Sequence, residues 1–153
     1  MRARELAVTD LPEDIIDWVA FQSARADLGA DFVRILGYFR EDGTKSLDVI
    51  ERAMRAQDSI SLVVPAHTLK GESRQFGAEA LGDLAEEIEV HARQCVEWKT
   101  TPEDVLPAVA RLRPLFVATF EAFDKDINPL VRRPQGFGRK SGEAVLNQGF
   151  GRI

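Results

Sequence analysis

Apolar residues recur at helical intervals through most of the chain. Phe32, Ile35, Leu36, Phe39, Leu47, Ile50 and Met54 follow one another three or four positions apart with a single gap. DFVRILGYFREDGTKSLDVIERAMRAQD therefore predicts one long helix, opened by Asp31. Gly43 stands in the gap and is expected inside that helix, loosening it at roughly 1 kcal/mol relative to alanine. Upstream, LPEDIIDWVAFQSARADLG predicts a short helix ending near Gly29, with Trp18, Phe21 and Leu28 as its inward positions. Asp58 or Ser59 opens the next helix, which runs through Phe76. Pro65 lies inside it and removes one backbone hydrogen bond, so the helix is either kinked there or regular only afterwards.

Gly77 breaks the chain, and AEALGDLAEEIEVHARQCVEW follows with Leu81, Leu84, Ile88 and Cys95 at helical spacing. The last helix is TTPEDVLPAVARLRPLFVATFEAFD. Thr101 is placed at its N-cap, Pro102 at its first position and Asp104 at its third, with bends at Pro107 and Pro114. No alternating strand pattern extends beyond a few residues. Helices joined by short connections pack antiparallel. The fold class is therefore all-α: an up-and-down antiparallel four-helix bundle with a short extra N-terminal helix and a Gly/Arg-rich C-terminal tail.

The division falls between a helical body, residues 1–126, and a basic Gly/Pro/Arg-rich tail, residues 127–153. The tail repeats QGFGR at 135–139 and 148–152. Either the repeat is low-complexity sequence, or Phe137 and Phe150 are two anchors for a groove in this or another molecule.

Hydrophobic residues make up 44% of the 153, enough for a packed core, which excludes wholesale disorder. The net charge is −5, unevenly spread. The tail holds five of the 20 basic side chains and one of the 25 acids, leaving 15 basic and 24 acidic in the body, a balance of −9. An acidic body argues against a nucleic-acid partner. The chain has no apolar run of about 18 residues, so no membrane span is expected. MRARELAVTD has no apolar segment behind its arginines, so no secretory signal is expected. Cys95 is the only cysteine, which fits a reducing cytoplasm.

The candidate chemistry lies in AHTLKGESRQFGAE, residues 66–79. On a helical wheel Leu62, Ala66, Leu69, Ser73 and Phe76 share one sector at intervals of 4, 3, 4 and 3, the seam of a bundle helix. His67 lies about 140° from that sector and should face solvent or the rim. Gly71, one turn on, leaves room for a group bonded to the imidazole or for a partner's backbone, where alanine would be more stable. Lys70 and Arg74 place positive charge on the same side, suited to a phosphoryl group. Ile60, Val63 and Val64 are apolar on the wrong side for the core. They either pack under the N-terminal helix or form a docking surface. Spacing alone leaves His67 open between a solvated histidine and a reactive one. No metal ligand set is expected, because His91 is the only other histidine and has no matching Cys or carboxylate spacing.

HTLKGESRQFGAEAL also resembles the signature of histidine-containing phosphotransfer (HPt) domains of phosphorelays. The matching positions are His67, Thr68, Leu69, Lys70 and Gly71, then Phe76, Gly77 and Ala78, with Gln75 where many members carry a polar residue. Residues 17 to 124 follow the family's helical layout. Two departures stand out. Glu72 replaces a small residue and brings negative charge near the site, and Pro65 is not part of the pattern.

The resemblance implies a phosphocarrier of bacterial type and not an independent enzyme. His67 would accept phosphate from a receiver aspartate, or from a kinase, through its distal ring nitrogen and pass it to another receiver. Lys70 and Arg74 would offset charge, Gly71 would give clearance, and Gln75 would bond across the interface. The chain itself would need no cofactor, since Mg²⁺ and most catalytic groups would belong to the receiver. The implied partners are response-regulator receiver domains and a hybrid histidine kinase, with the protein a monomer. Three other readings remain at this stage: a receiver-binding adaptor that carries no phosphate, the phospho-accepting module of a kinase in trans, and a helical scaffold that binds through its tail.

Overall fold

The computed structural model describes residues 14–128. The two QGFGR segments, with Phe137 and Phe150, lie outside the described residues. The described part contains α1 (Trp18–Leu28), α2 (Phe32–Arg55), α3 (Ser59–Gln75), α4 (Glu79–Trp98) and α5 (Leu106–Ile127). Single 3₁₀ turns occupy Gly29–Asp31 and Glu103–Val105, and no strand occurs among the described residues. The chain divides into two compact units, Met1–Thr119 and Phe120–Ile153. Within the second, Phe120 and Phe123 on α5 meet edge to face, centroids 5.3 Å apart.

The cross-helix pairings fix the directions. Phe32 and Phe39 near the start of α2 pack on Phe76 at the end of α3, centroids 5.9 and 5.6 Å apart. Ser59 at the start of α3 donates to the Thr100 carbonyl just past the end of α4, at 2.9 Å. Arg113 of α5 bonds Glu51 and Asp48 of α2, each at 2.9 Å. Each long helix thus runs antiparallel to its neighbour, giving the up-and-down bundle that the short connections predict. The predicted seam is the interior of α3: Leu62, Ala66, Leu69, Ser73 and Phe76 are all buried. The one polar group in that seam, the Ser73 hydroxyl, is satisfied by donating to the Leu69 carbonyl at 2.6 Å.

Gly43 does not end α2, which is continuous from Phe32 to Arg55. Its value is space. A Cβ there would lie 2.5 Å from Cε1 of Phe116, so the glycine is the seat on which the α5 ring rests. Pro65 is likewise inside an unbroken helix that is regular from Ser59 onward.

Three local expectations are corrected. Trp18 stays partly in solvent, because α1 buries one narrow face through Phe21 and the indole only leans edge-on against that ring, 5.1 Å away. Cys95 is only half-buried, and Ala92 takes the inward position on that turn. The last α-helix starts at Leu106, four residues after Pro102. Pro107 then falls in the first turn, where a missing N–H goes unnoticed. The Thr101 hydroxyl bonds the Glu103 carboxylate, at 2.6 Å, rather than capping a helix.

Gly77 closes the turn after α3 with φ +77, and the Asp17 N–H donates to its carbonyl at 2.8 Å, locking α1 onto this corner. A side chain here meets two obstacles, the left-handed backbone and the Asp17 carbonyl oxygen 2.5 Å from the new Cβ. Gly77→Ala should lower stability by about 2 kcal/mol, read as a fall in urea midpoint at constant slope.

Candidate functional site

His67 sits in the middle of α3, and 60% of its side chain is exposed. Its Nδ1 lies 2.9 Å from Oε2 of Glu89, on the facing turn of α4. Glu89 is the unusual member, because its side chain is only 6% exposed. It follows Ile88 on the face of α4 that carries Ala85 and Ala92 into the core. Three cationic or donor groups converge on it. Lys70 Nζ is 2.9 Å from Oε1, an ion-pair contact. Arg93, one turn further along α4, reaches Oε2 with Nε at 3.0 Å and Nη2 at 2.8 Å. Burial pushes the carboxyl's pKa up, but Lys70, Arg93 and His67 outweigh it and hold it down at about 2. Glu89 is therefore a carboxylate and can only accept.

That fixes the imidazole. A carboxylate at 2.9 Å from Nδ1 requires the proton on Nδ1. In the neutral ring the lone pair is then on Nε2, the distal nitrogen. Nε2 makes no hydrogen bond among the described residues, and the side chain that carries it is mostly exposed. An exposed imidazole held through one nitrogen, with the other left to react, is the arrangement a nucleophile needs.

The other predicted residues divide. Lys70 is beside the histidine but engaged with Glu89. Gly71 is exposed, and a Cβ there would meet nothing within 4 Å, so no contact among the described residues demands the glycine. Gln75 is exposed at the last residue of α3. Ile60 and Val64 are 70% and 69% exposed and Val63 is half-buried. They do not pack under α1, which is fastened at Gly77, the opposite end of α3.

Arg74 is not a free cation beside the ring. Its Nη2 bonds Asp83 and Glu86 of α4, each at 2.7 Å, and its stem lies across Gly82, where a Cβ would come within 2.8 Å of Cγ. Its charge is balanced by two carboxylates, so it straps α3 to α4 instead of waiting for an anion.

Glu72, expected to add charge at the site, turns to α2. Burial and the nearby Asp42 carboxylate raise its pKa to about 7, and its Oε1 is buried without a hydrogen-bond partner. Folding is favoured fully while Glu72 is protonated in both states, below about 4.5, and this is lost as pH rises through 7. Glu72→Gln should therefore stabilise by about 1–2 kcal/mol at pH 8, after allowing for solvent screening, and by almost nothing at pH 4. Paired urea titrations at the two pH values check this.

Glu89 and Arg93 escaped the sequence reading. Their signals were a carboxylate embedded among Ala85, Ile88 and Ala92, and an arginine one turn after it. Among the described residues no group of three His, Cys, Asp or Glu is placed to hold a metal.

Comparison with known proteins agrees with this geometry. The profile of the Hpt domain family matches residues 34–115, a span holding His67, Lys70, Glu89 and Arg93. Among solved structures, the chain is similar to histidine-containing phosphotransfer protein B (HptB) from Pseudomonas aeruginosa PAO1, with a TM-score of 0.66 and 21% identity, over 75% of this chain and 96% of that one. No curated protein sequence matches. The matched span covers more than half of the chain, and on that footing this protein belongs to the Hpt domain family, the histidine phosphotransfer modules of two-component signalling.

Proposed function

We propose that this protein is a phosphocarrier that takes a phosphoryl group from a receiver aspartate, or from a kinase, onto Nε2 of His67 and passes it to a second receiver. The observation that carries the reading is the solvent-facing imidazole whose Nδ1 is tied to a buried carboxylate. In the forward step the Nε2 lone pair attacks phosphorus and forms the N–P bond. The bond from phosphorus to the receiver's aspartate oxygen breaks, and the aspartate leaves with the electron pair. Nδ1 keeps its proton throughout, so the ring gains positive charge as the bond forms. Glu89, 2.9 Å away, offsets that charge. The reverse step returns the electron pair to Nε2 when a second aspartate attacks.

Transfer of this kind depends on in-line positioning and charge neutralisation, and the Mg²⁺ that helps supply it is assigned to the receiver. Lys70 meets the phosphoryl oxygens. Ile60, Val63 and Val64 form the apolar surface on which the receiver docks, and Gln75 gives a polar contact at its edge. The partners are receiver domains and a hybrid histidine kinase, with the protein working as a cytoplasmic monomer. No helix of the described residues is long and apolar enough to cross a membrane.

The direct test charges each candidate receiver with radiolabelled acetyl phosphate and follows label onto this protein. Acid-labile, alkali-stable label is expected. A protein that stays unlabelled with every receiver and every hybrid kinase is no phosphocarrier. A protein that binds receivers without taking label is an adaptor.

Gly71 gives a second check. Gly71→Gln replaces an exposed helical glycine, so stability should rise by about 0.5–1 kcal/mol. Transfer should nevertheless slow by roughly tenfold or more, because the new side chain fills the space beside the ring. A variant that is both more stable and equally fast would remove the clearance role.

A further inference from the structure

Three groups meet the Glu89 carboxylate, and besides the carboxylate itself the phosphotransfer reading uses two of them, His67 and Lys70. Arg93 has no part in it. We propose that Arg93 is a positioning residue: it holds the charge of Glu89 so that Lys70 can leave Glu89 for the phosphoryl group on His67. The inference rests on the phosphocarrier reading but concerns a residue that reading does not need.

The argument begins with burial. With 6% of its side chain exposed, Glu89 cannot rely on water and must keep a cation. In the structure it has two. Lys70 is 23% exposed and meets Oε1 alone, on a flexible stem three residues after His67. Arg93 meets the other oxygen with two nitrogens, from the same helix and one turn away. The two cations are not equivalent. Arg93 shares Oε2 with the His67 Nδ1–H and is anchored by its fork, whereas Lys70 holds Oε1 by one nitrogen.

A phosphoryl group on Nε2 brings about two negative charges to that side of α3. Lys70 is drawn to it. If Arg93 is present, Glu89 keeps a partner when Lys70 departs and continues to hold Nδ1. If Arg93 is absent, Lys70 is the one remaining cation among the described residues for a buried carboxylate and stays where it is. Arg93 thus acts through Lys70, without touching the phosphoryl group.

The test uses potassium phosphoramidate, which phosphorylates histidine without a receiver. Nε2 forms its bond to phosphorus, the reagent's own P–N bond breaks, and ammonia leaves. Rates are measured on the full chain for wild type, Lys70→Ala, Arg93→Ala, the double variant and Arg93→Lys. Each single alanine variant should slow phosphorylation about tenfold, and the double variant should be no slower than Lys70→Ala. Arg93→Lys should recover most of the rate. The ¹⁵N shift of Lys70 Nζ should move on phosphorylation in wild type and stay still in Arg93→Ala.

Multiplying effects in the double variant would overturn the proposal, because Arg93 would then act on its own. So would a Lys70 signal that moves equally without Arg93, or an Arg93→Ala imidazole that has lost its Nδ1 proton, since Arg93 would then only hold Glu89 in place. The wider reading fails separately. A wild type labelled by phosphoramidate but by no receiver or kinase ends the relay and leaves this coupling standing.

Discussion

With His67 replaced by glutamine, label from a charged receiver should disappear from the protein while the bundle remains folded. The two halves of that expectation have different physical grounds. The acceptor is lost outright, since a carboxamide nitrogen has no lone pair free for phosphorus. The fold is spared because the ring is 60% exposed and packs against little. Its one side-chain hydrogen bond among the described residues, to Glu89, can be remade by the glutamine amide, so stability should change by less than about 1 kcal/mol. Circular dichroism and the urea midpoint check the fold, and autoradiography checks the label.

The control is the other histidine. His91 is exposed on α4, and its Nδ1 lies 3.0 Å from the Glu87 carbonyl. Among the described residues no carboxylate side chain holds its ring. His91→Gln should keep full label. Label that survives His67→Gln and vanishes with His91→Gln would move the site to α4 and end the present assignment.

What could be read from the chain was whatever a single helix decides for itself. The 4, 3, 4, 3 interval from Leu62 to Phe76 placed five side chains in the core and, by the same geometry, turned His67 out. What needed a second helix was not legible. Lys70 and Arg74 look alike on the wheel of α3, both cationic and both near the histidine. Their fates differ because α4 offers Glu89 to one and the open floor of Gly82 with Asp83 and Glu86 to the other. Gly43 read as a weak point in α2 and is the seat of Phe116, 73 positions later in the chain. Glu89 lies 22 positions from His67, and only the antiparallel register of α3 and α4 brings the two together. The charge expected from Glu72 failed for the same reason, because Asp42 of α2 meets it.

Glu89→Gln should slow transfer about 10- to 100-fold without unfolding the protein. The substitution keeps the shape and removes three things at once. A glutamine amide can present its NH₂ to Nδ1, which puts the ring proton on Nε2 and takes away the nucleophilic lone pair. When it presents its oxygen instead, it carries no charge to offset the ring as the N–P bond forms. Lys70 and Arg93 also lose their common anion, so neither is held beside the ring. Because the Glu89 pKa is depressed to about 2, its stabilising contribution is complete above the ordinary carboxylate range and fades only as pH falls toward that value. The variant's deficit should therefore persist unchanged from pH 6 to 8, where the wild-type carboxylate is fully ionised. Single-turnover transfer from a phosphorylated receiver measures the rate, and long-range ¹H–¹⁵N spectra of the imidazole report which nitrogen carries the proton. A glutamine variant that transfers at the wild-type rate, with its proton still on Nδ1, would mean that α3 alone orients the histidine and that the buried carboxylate is there for the bundle.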